Sequence, residues 1–190
     1  MLMERIREYF EQVINLSDAD WAFFASKLTE VTFPKKQQLL CAGKTENYLS
    51  FIASGIVRYY IPKEEQDLTF AFSFEGSFVS GYNSFLTQTP STYNIETLSR
   101  TKLWRLSYSD LQSIYRETEA GNTIGRQASE DLFLKKSQRE LSLLNESAEE
   151  RYRNLFTEQP QLIKEIPLKY IASYIGITPQ ALSRIRKRIS

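Results

Sequence analysis

The sequence predicts an α+β fold: an N-terminal antiparallel β roll of jelly-roll type with flanking helices, a long connecting helix, and an all-helical C-terminal region closed by a helix-turn-helix. Three observations carry this expectation. Between residues 31 and 108 the chain breaks into short β-branched and aromatic runs with regular turn signals. After Ser107 the apolar residues return to helical spacing. Finally, Leu168–Ser190 pairs two amphipathic segments around Gly176.

Taken in order, Ile6, Tyr9 or Phe10, and Val13 recur at helical spacing, and Ser17 or Asp18 is suited to cap a second helix carrying Trp21, Phe24 and Leu28. Pro34-Lys35-Lys36 and Ala42-Gly43-Lys44 read as turns. Tyr48–Ala53 leads into Ser54-Gly55, Ile56–Ile61 follows and stops at Pro62, and Leu68–Phe74 alternates with a period of two before Glu75-Gly76. Thr92–Leu98 and Lys102–Leu106 fit two further strands. Ser109 is placed as the cap of a short helix with Leu111, Ile114 and Tyr115, and a longer helix covers 119–145. Its narrow apolar stripe suits a connector or a homodimer seam, with Ile124, Ala128 and Leu132 as candidate seam residues. Ala148–Glu158 forms another helix, ended by Pro160. The predicted division is therefore 1–118, 119–145 and 146–190.

Composition narrows the function classes. No run approaches the ~20 apolar residues of a membrane span, and the charged start Met1–Glu8 lacks the apolar stretch of a signal peptide. A cytoplasmic protein with no membrane partner is expected. Cys41 is the one cysteine and there is no histidine, which removes the commonest zinc and haem ligands and the usual acid–base residue near neutral pH. No metal, no cofactor and no enzymatic activity are expected. Cys41 reads as a half-buried structural thiol.

The net charge of +1 conceals an asymmetry: residues 161–190 carry six Lys and Arg against Glu165 alone, a net of +5 that leaves −4 for the rest. Within this basic end, Leu168, Ile171, Ala172 and Ile175 fall on one stripe of a first helix, with Lys169, Tyr170, Ser173 and Tyr174 elsewhere. Gly176 suits the left-handed turn, Thr178 the N-cap and Pro179 the first helical position. The second helix sets Ala181, Leu182, Ile185 and Ile189 on an apolar face and Gln180, Ser183, Arg184 and Lys187 on the opposite one. Such a helix packs with one side and enters the major groove with the other. Gln180, Ser183 and Arg184 are the candidate base readers, and Thr178, Arg186, Lys187 and Arg188 the candidate backbone contacts.

With this order of parts, and with "IPLKYIASYIGITPQALSRIRKR" at Ile166–Arg188 and "EGSFVSGYNSFL" after the central turn, the chain resembles the Crp/Fnr superfamily of bacterial transcription regulators. The resemblance implies a cyclic-nucleotide-binding-like β roll, a dimer binding a near-palindromic operator in double-stranded DNA, RNA polymerase as a partner, and a small-molecule effector whose identity is left open. It also implies an effector pocket around Phe78, Gly81, Tyr82, Ser91 and Thr92. In cyclic-AMP-binding members a glutamate and an arginine–serine pair hold the nucleotide. Those positions are Gly81 and Ser91-Thr92 here, so the arginine is missing and cyclic AMP is not the expected effector. Arg100 or Arg105 replaces it only if its strand points inward. The rival reading is a small-molecule-binding β-roll protein whose helical tail serves packing or dimerisation. A cupin-like enzyme is disfavoured by the missing histidines.

Overall fold

The computed structural model describes residues 3–12 and 14–189; Val13, expected in the first helix, lies outside them. Two helices, α1 (Glu4–Glu11) and α2 (Asp18–Ser26), precede the strands β1 (Thr29–Phe33), β2 (Gln38–Leu40), β3 (Tyr48–Ser54), β4 (Ile56–Ile61), β5 (Leu68–Phe74), β6 (Phe78–Val79), β7 (Asn94–Thr97) and β8 (Thr101–Ser107), with α3 (Tyr82–Thr87) between β6 and β7. The chain continues through α4 (Tyr108–Glu117), α5 (Gly121–Asn145), α6 (Ala148–Glu158), α7 (Pro160–Glu165), α8 (Leu168–Tyr174) and α9 (Pro179–Ile189). The strands form two four-stranded sheets, β1-β8-β3-β6 and β2-β7-β4-β5. This is the expected antiparallel roll with flanking helices.

Register divides the first sheet into two faces. Phe51 lies opposite Trp104 and Ile52 opposite Leu103, while β1 sets Val31 against Leu103 and Thr29 against Arg105. Because side chains alternate, Phe51, Trp104 and Leu106 share one face. They meet a core of Ile6, Phe10, Phe24, Leu111, Ile114 and Ile124 from the helices and Leu16 from the α1–α2 connection. Rings pack edge to face within it, Phe10 on Phe24 at 5.2 Å and Phe51 on Phe78 at 5.3 Å between centroids. Tyr48, Ser50, Ile52, Leu103 and Arg105 share the other face, which looks into the roll.

Several local expectations change. Ser107, not Ser109, caps α4: its Oγ accepts the Asp110 N–H at 3.1 Å. Ser17 caps α2, which ends before Leu28. Helix α5 begins at Gly121 rather than at residue 119. Strands β1, β2 and β6 and helix α7 escape the pattern because each is too short or too mixed to show a period, and Pro160 opens α7 as well as closing α6. Cys41 is exposed rather than half-buried, since it stands at the turn that follows β2.

Two compact units divide the chain. One holds the residues up to Tyr59 together with Phe72–Glu130, and the other holds Tyr60–Ala71 with the residues from Asp131 onward. In the second unit the β4–β5 tip is bound to α8: Ser173 Oγ accepts the Thr69 N–H at 2.8 Å and donates to the Asp67 carbonyl at 2.6 Å.

The turn between β3 and β4 is made by Gly55, at φ +110°, where a Cβ would stand 2.8 Å from Thr101 Cα and 2.9 Å from the Arg100 carbonyl oxygen. Both obstacles are backbone and cannot rotate away. Gly55→Ala is expected to lower stability by at least about 2 kcal/mol in urea denaturation; an unchanged midpoint excludes this reading of the turn.

Candidate nucleic-acid interface and β-roll pocket

The C-terminal helix pair is built around one turn. Helix α8 buries Ile171, Ala172 and Ile175, and Leu182 and Ile185 of α9 are buried as well. The burial around α8 is wider than one stripe. Ser173 and Tyr174 are buried because of the Asp67–Thr69 contact and the packing of Arg139 on the Tyr174 ring, 3.9 Å from its centroid, whereas Leu168 is exposed.

The end of α8 leaves no carbonyl unused. Ile177 N–H donates to Ala172 O at 3.0 Å and Gly176 N–H to Ser173 O at 3.1 Å, with Gly176 at φ +82°, the arrangement of a Schellman motif. The two remaining carbonyls take arginines from other helices. Arg139 of α5 donates to Tyr174 O, and Arg151 of α6 donates through Nε to Ile175 O at 3.0 Å. Cations at this end also oppose the negative pole of the helix. Burial lowers the Arg139 pKa below the usual guanidinium value.

Beyond the turn, Thr178 Oγ1 accepts the Ala181 N–H at 3.2 Å and caps α9. Gln180, Ser183, Arg184, Arg186, Lys187 and Arg188 are all exposed. Among the described residues Arg184 and Lys187 have no hydrogen bond or ion pair. Arg188 is differently placed: it donates to Glu149 at 2.8 Å, and Arg153 and then Arg188 hold that carboxyl below its usual range. The sequence gives no sign of this pair, because Glu149 lies in another helix.

The five β-roll residues named from sequence do not converge. The Phe78 ring joins the helix-facing cluster, 5.4 Å from Tyr9 and 5.3 Å from Phe51. Tyr82 turns the same way, stacking on Phe85 and hydrogen bonding Ser129 at 3.1 Å. Ser91 is buried, with its Oγ bonded to Tyr93 O at 2.9 Å and Tyr93 N at 3.2 Å, and Thr92 is exposed. Gly81 alone meets a charged group: its N–H donates to Glu46 Oε2 at 3.1 Å, while Tyr48 N–H donates to Oε1 at 3.0 Å.

Glu46 is the residue that sequence reasoning missed. It is 5% exposed, and Ser84 Oγ of α3 accepts its backbone N–H at 3.0 Å. Around it lie Tyr93, whose hydroxyl burial pushes up; Tyr59, bonded to Ser73 Oγ at 3.1 Å and also raised by burial; and Arg105. Nothing in "GKTENYLSF" separates this acid from a solvated one. Arg100 is exposed, whereas Arg105 points into the roll.

Residues 30–118 match the cyclic nucleotide-binding domain family. No curated protein sequence matches the chain. Among solved structures, a putative transcriptional regulator of the Crp/Fnr family from Eubacterium rectale is similar with a TM-score of 0.72 at 16% identity, over 91% of this chain and 83% of that one. FixK2 from Bradyrhizobium japonicum gives 0.71 at 16% identity, over 85% of this chain and 84% of that one. The Thermus thermophilus catabolite activator protein gives 0.56 at 20% identity, over 92% of this chain and 84% of that one. The fold is Crp/Fnr-like from the β roll to the terminal helices.

Burial pushes the Glu46 carboxyl above its usual value, against the pull of the Gly81 and Tyr48 N–H groups. A raised folded-state pKa means that this group's contribution to stability is fully present below the unfolded carboxylate value and is lost as pH rises through the folded one. Urea denaturation of Glu46→Gln beside the parent chain, from mildly acidic to neutral pH, is expected to show the variant gaining relative stability as pH rises. A constant difference, or the reverse trend, rules out burial as the dominant influence on this acid.

Proposed function

We propose that this chain, with its Crp/Fnr-like fold, is a sequence-specific DNA-binding transcription regulator that acts as a homodimer on a near-palindromic operator. One observation carries the reading. The exposed face of α9 offers Gln180, Ser183, Arg184 and Lys187 to solvent, and the opposite face, with Leu182 and Ile185, is fixed in the core behind a fully capped turn. A major groove admits such a helix; Arg suits guanine O6 and N7, and Gln suits adenine N6 and N7. Thr178, Arg186, Lys187 and Arg188 take the phosphate backbone in this reading. Arg188 exchanges the Glu149 carboxylate for a phosphate.

The parts divide as sensor roll (1–118), dimer helix (119–145) and DNA-binding region (146–190). RNA polymerase is the implied protein partner and the cytoplasm the implied location. No helix among the described residues is long and apolar enough to cross a membrane. The effector is a small molecule other than cyclic AMP: the position of the phosphate-neutralising arginine is held by Ser91, spent on its own turn, and the Gly81 N–H already serves Glu46.

The dimer seam lies further along α5 than the sequence indicates. Ile124 is buried in the core of its own unit, and Ala128 and Leu132 are half-buried. Phe133, Leu134, Leu141 and Leu144 are exposed at 69%, 64%, 55% and 75%. Positions 134, 137, 141 and 144 follow heptad steps of three and four, with Ser137 the one polar member.

Two measurements test the reading. With duplexes selected from a random pool, Arg184→Ala is expected to lose ~1–3 kcal/mol on its best site and little on random DNA. Lys187→Ala should weaken all duplexes alike and flatten the salt dependence by about one unit of slope. Undiminished binding by Arg184→Ala at every site removes α9 as the reader. In sedimentation, Leu134→Glu with Leu141→Glu should convert dimer to monomer and weaken operator binding about tenfold or more; a persistent dimer places the seam elsewhere.

A further inference from the structure

The arginines held inside the protein have acceptors, with one exception. Arg58 pairs with Glu96 at 2.8 Å. Arg139 and Arg151 donate to the carbonyls that end α8. Arg105 is half-buried, yet among the described residues its guanidinium makes no hydrogen bond or ion pair, and its Nε is buried without a partner. The carboxylate acting on it, Glu46, is committed through both oxygens to the Tyr48 and Gly81 N–H groups. A guanidinium stays charged under all ordinary conditions, so this is a partly desolvated cation whose donors lack acceptors.

Two aromatic rings hold it still without neutralising it. The guanidinium carbon lies 3.7 Å from the Tyr48 ring centroid and 5.5 Å from that of Phe33. Aromatic rings stabilise a planar cation through their faces and leave its N–H edge free. Arg105 stands on β8 with Thr29 of β1 and Ser50 of β3 directly opposite on either side. Paired residues in a ladder project to the same face. A hydroxyl, a guanidinium and a second hydroxyl therefore form one row of donors across the sheet, with Thr29 exposed on the edge strand, Arg105 half-buried and Ser50 buried.

We propose that Arg105, flanked by Thr29 and Ser50 and held by Tyr48 and Phe33, is the anion-recognition point of the β roll and binds the carboxylate or phosphate group of a small ligand. The cation then comes from a central strand rather than from the Ser91-Thr92 turn. An oxyanion accepts two parallel N–H bonds from the guanidinium fork and takes the flanking hydroxyls as further donors. The assignment is independent of DNA binding, since every group in it belongs to the roll.

The test uses the full chain and two probes, acetate and inorganic phosphate, each titrated at constant ionic strength against chloride. The readouts are the Arg105 Nε–Hε cross-peak of the parent chain and, in every protein, the amide cross-peaks of Thr29 and Ser50. A saturable shift with a midpoint below about 10 mM is expected for at least one probe. Saturation by phosphate alone assigns a phosphoryl ligand, by acetate alone a carboxylate, and by both an oxyanion in general. Arg105→Gln should weaken the response at least tenfold, and Arg105→Lys, which keeps the charge and the fold but lacks the fork, should weaken it less. Arg184→Gln should leave it unchanged, which separates this site from the DNA-reading helix. No saturable shift with either probe, an equal shift with chloride, or an undiminished response in Arg105→Lys and Arg105→Gln overturns the proposal.

Discussion

The direction of the C-terminal helix is set by how four carbonyl groups at the end of α8 find donors. An unsatisfied buried carbonyl costs about 1–3 kcal/mol, so a conformation that orphans several of them is not competitive. Ala172 and Ser173 are served locally, by Ile177 and Gly176 N–H, and this works because Gly176 takes φ +82°. Tyr174 and Ile175 are served by Arg139 and Arg151, which arrive from α5 and α6. Three helices thus converge on one turn, and α9 leaves it in a single direction. The long helix proposed to carry the dimer seam is the one that supplies Arg139, so seam and reading helix are joined through one side chain.

The β roll solves a similar problem at the start of α3, by a different means. Gly81 and Tyr48 present N–H groups to a buried place, and Glu46 supplies both acceptors from within the chain. The carboxylate tolerates its burial because each oxygen is bonded, although burial still raises its pKa. A roll arranged this way keeps the architecture of a cyclic-nucleotide-binding domain while an internal acid occupies one of its donors. Resemblance of fold does not by itself carry resemblance of ligand chemistry.

Much of this was legible in the sequence wherever a period or a cap had room to show. Strands β4 and β5, helix α6, the Ser17 and Thr178 caps and the Gly176 turn all carry local signals of several residues. Strands β6 and β1, of two and five residues, do not. The proposed reading face of α9 was legible because amphipathicity is a property of one helix. The environment of Glu46 was not, since it depends on loops that meet only after the roll closes. For the same reason Phe78 and Tyr82, plausible pocket residues by position in the chain, face the helices: alternation assigns a side chain to a face but does not say what covers that face.

The basic end of α9 shows why charge by itself is a poor guide. Arg186, Lys187 and Arg188 stand in the last turn, where cations offset the negative pole of the helix and are stabilising with no partner at all. Arg188 also has Glu149 beside it. Those three residues would be unremarkable on any exposed helix. Arg184 is different. It lies in the middle of α9, away from the terminal turn that rewards a cation, and among the described residues no acid pairs with it. It shares its face with Gln180 and Ser183, which bring hydrogen-bonding groups and no packing. The fold gains nothing evident from this trio, and the groups it displays are the kind that read base edges. It is Arg184, more than the net charge, on which the proposed sequence-specific reading of this helix rests.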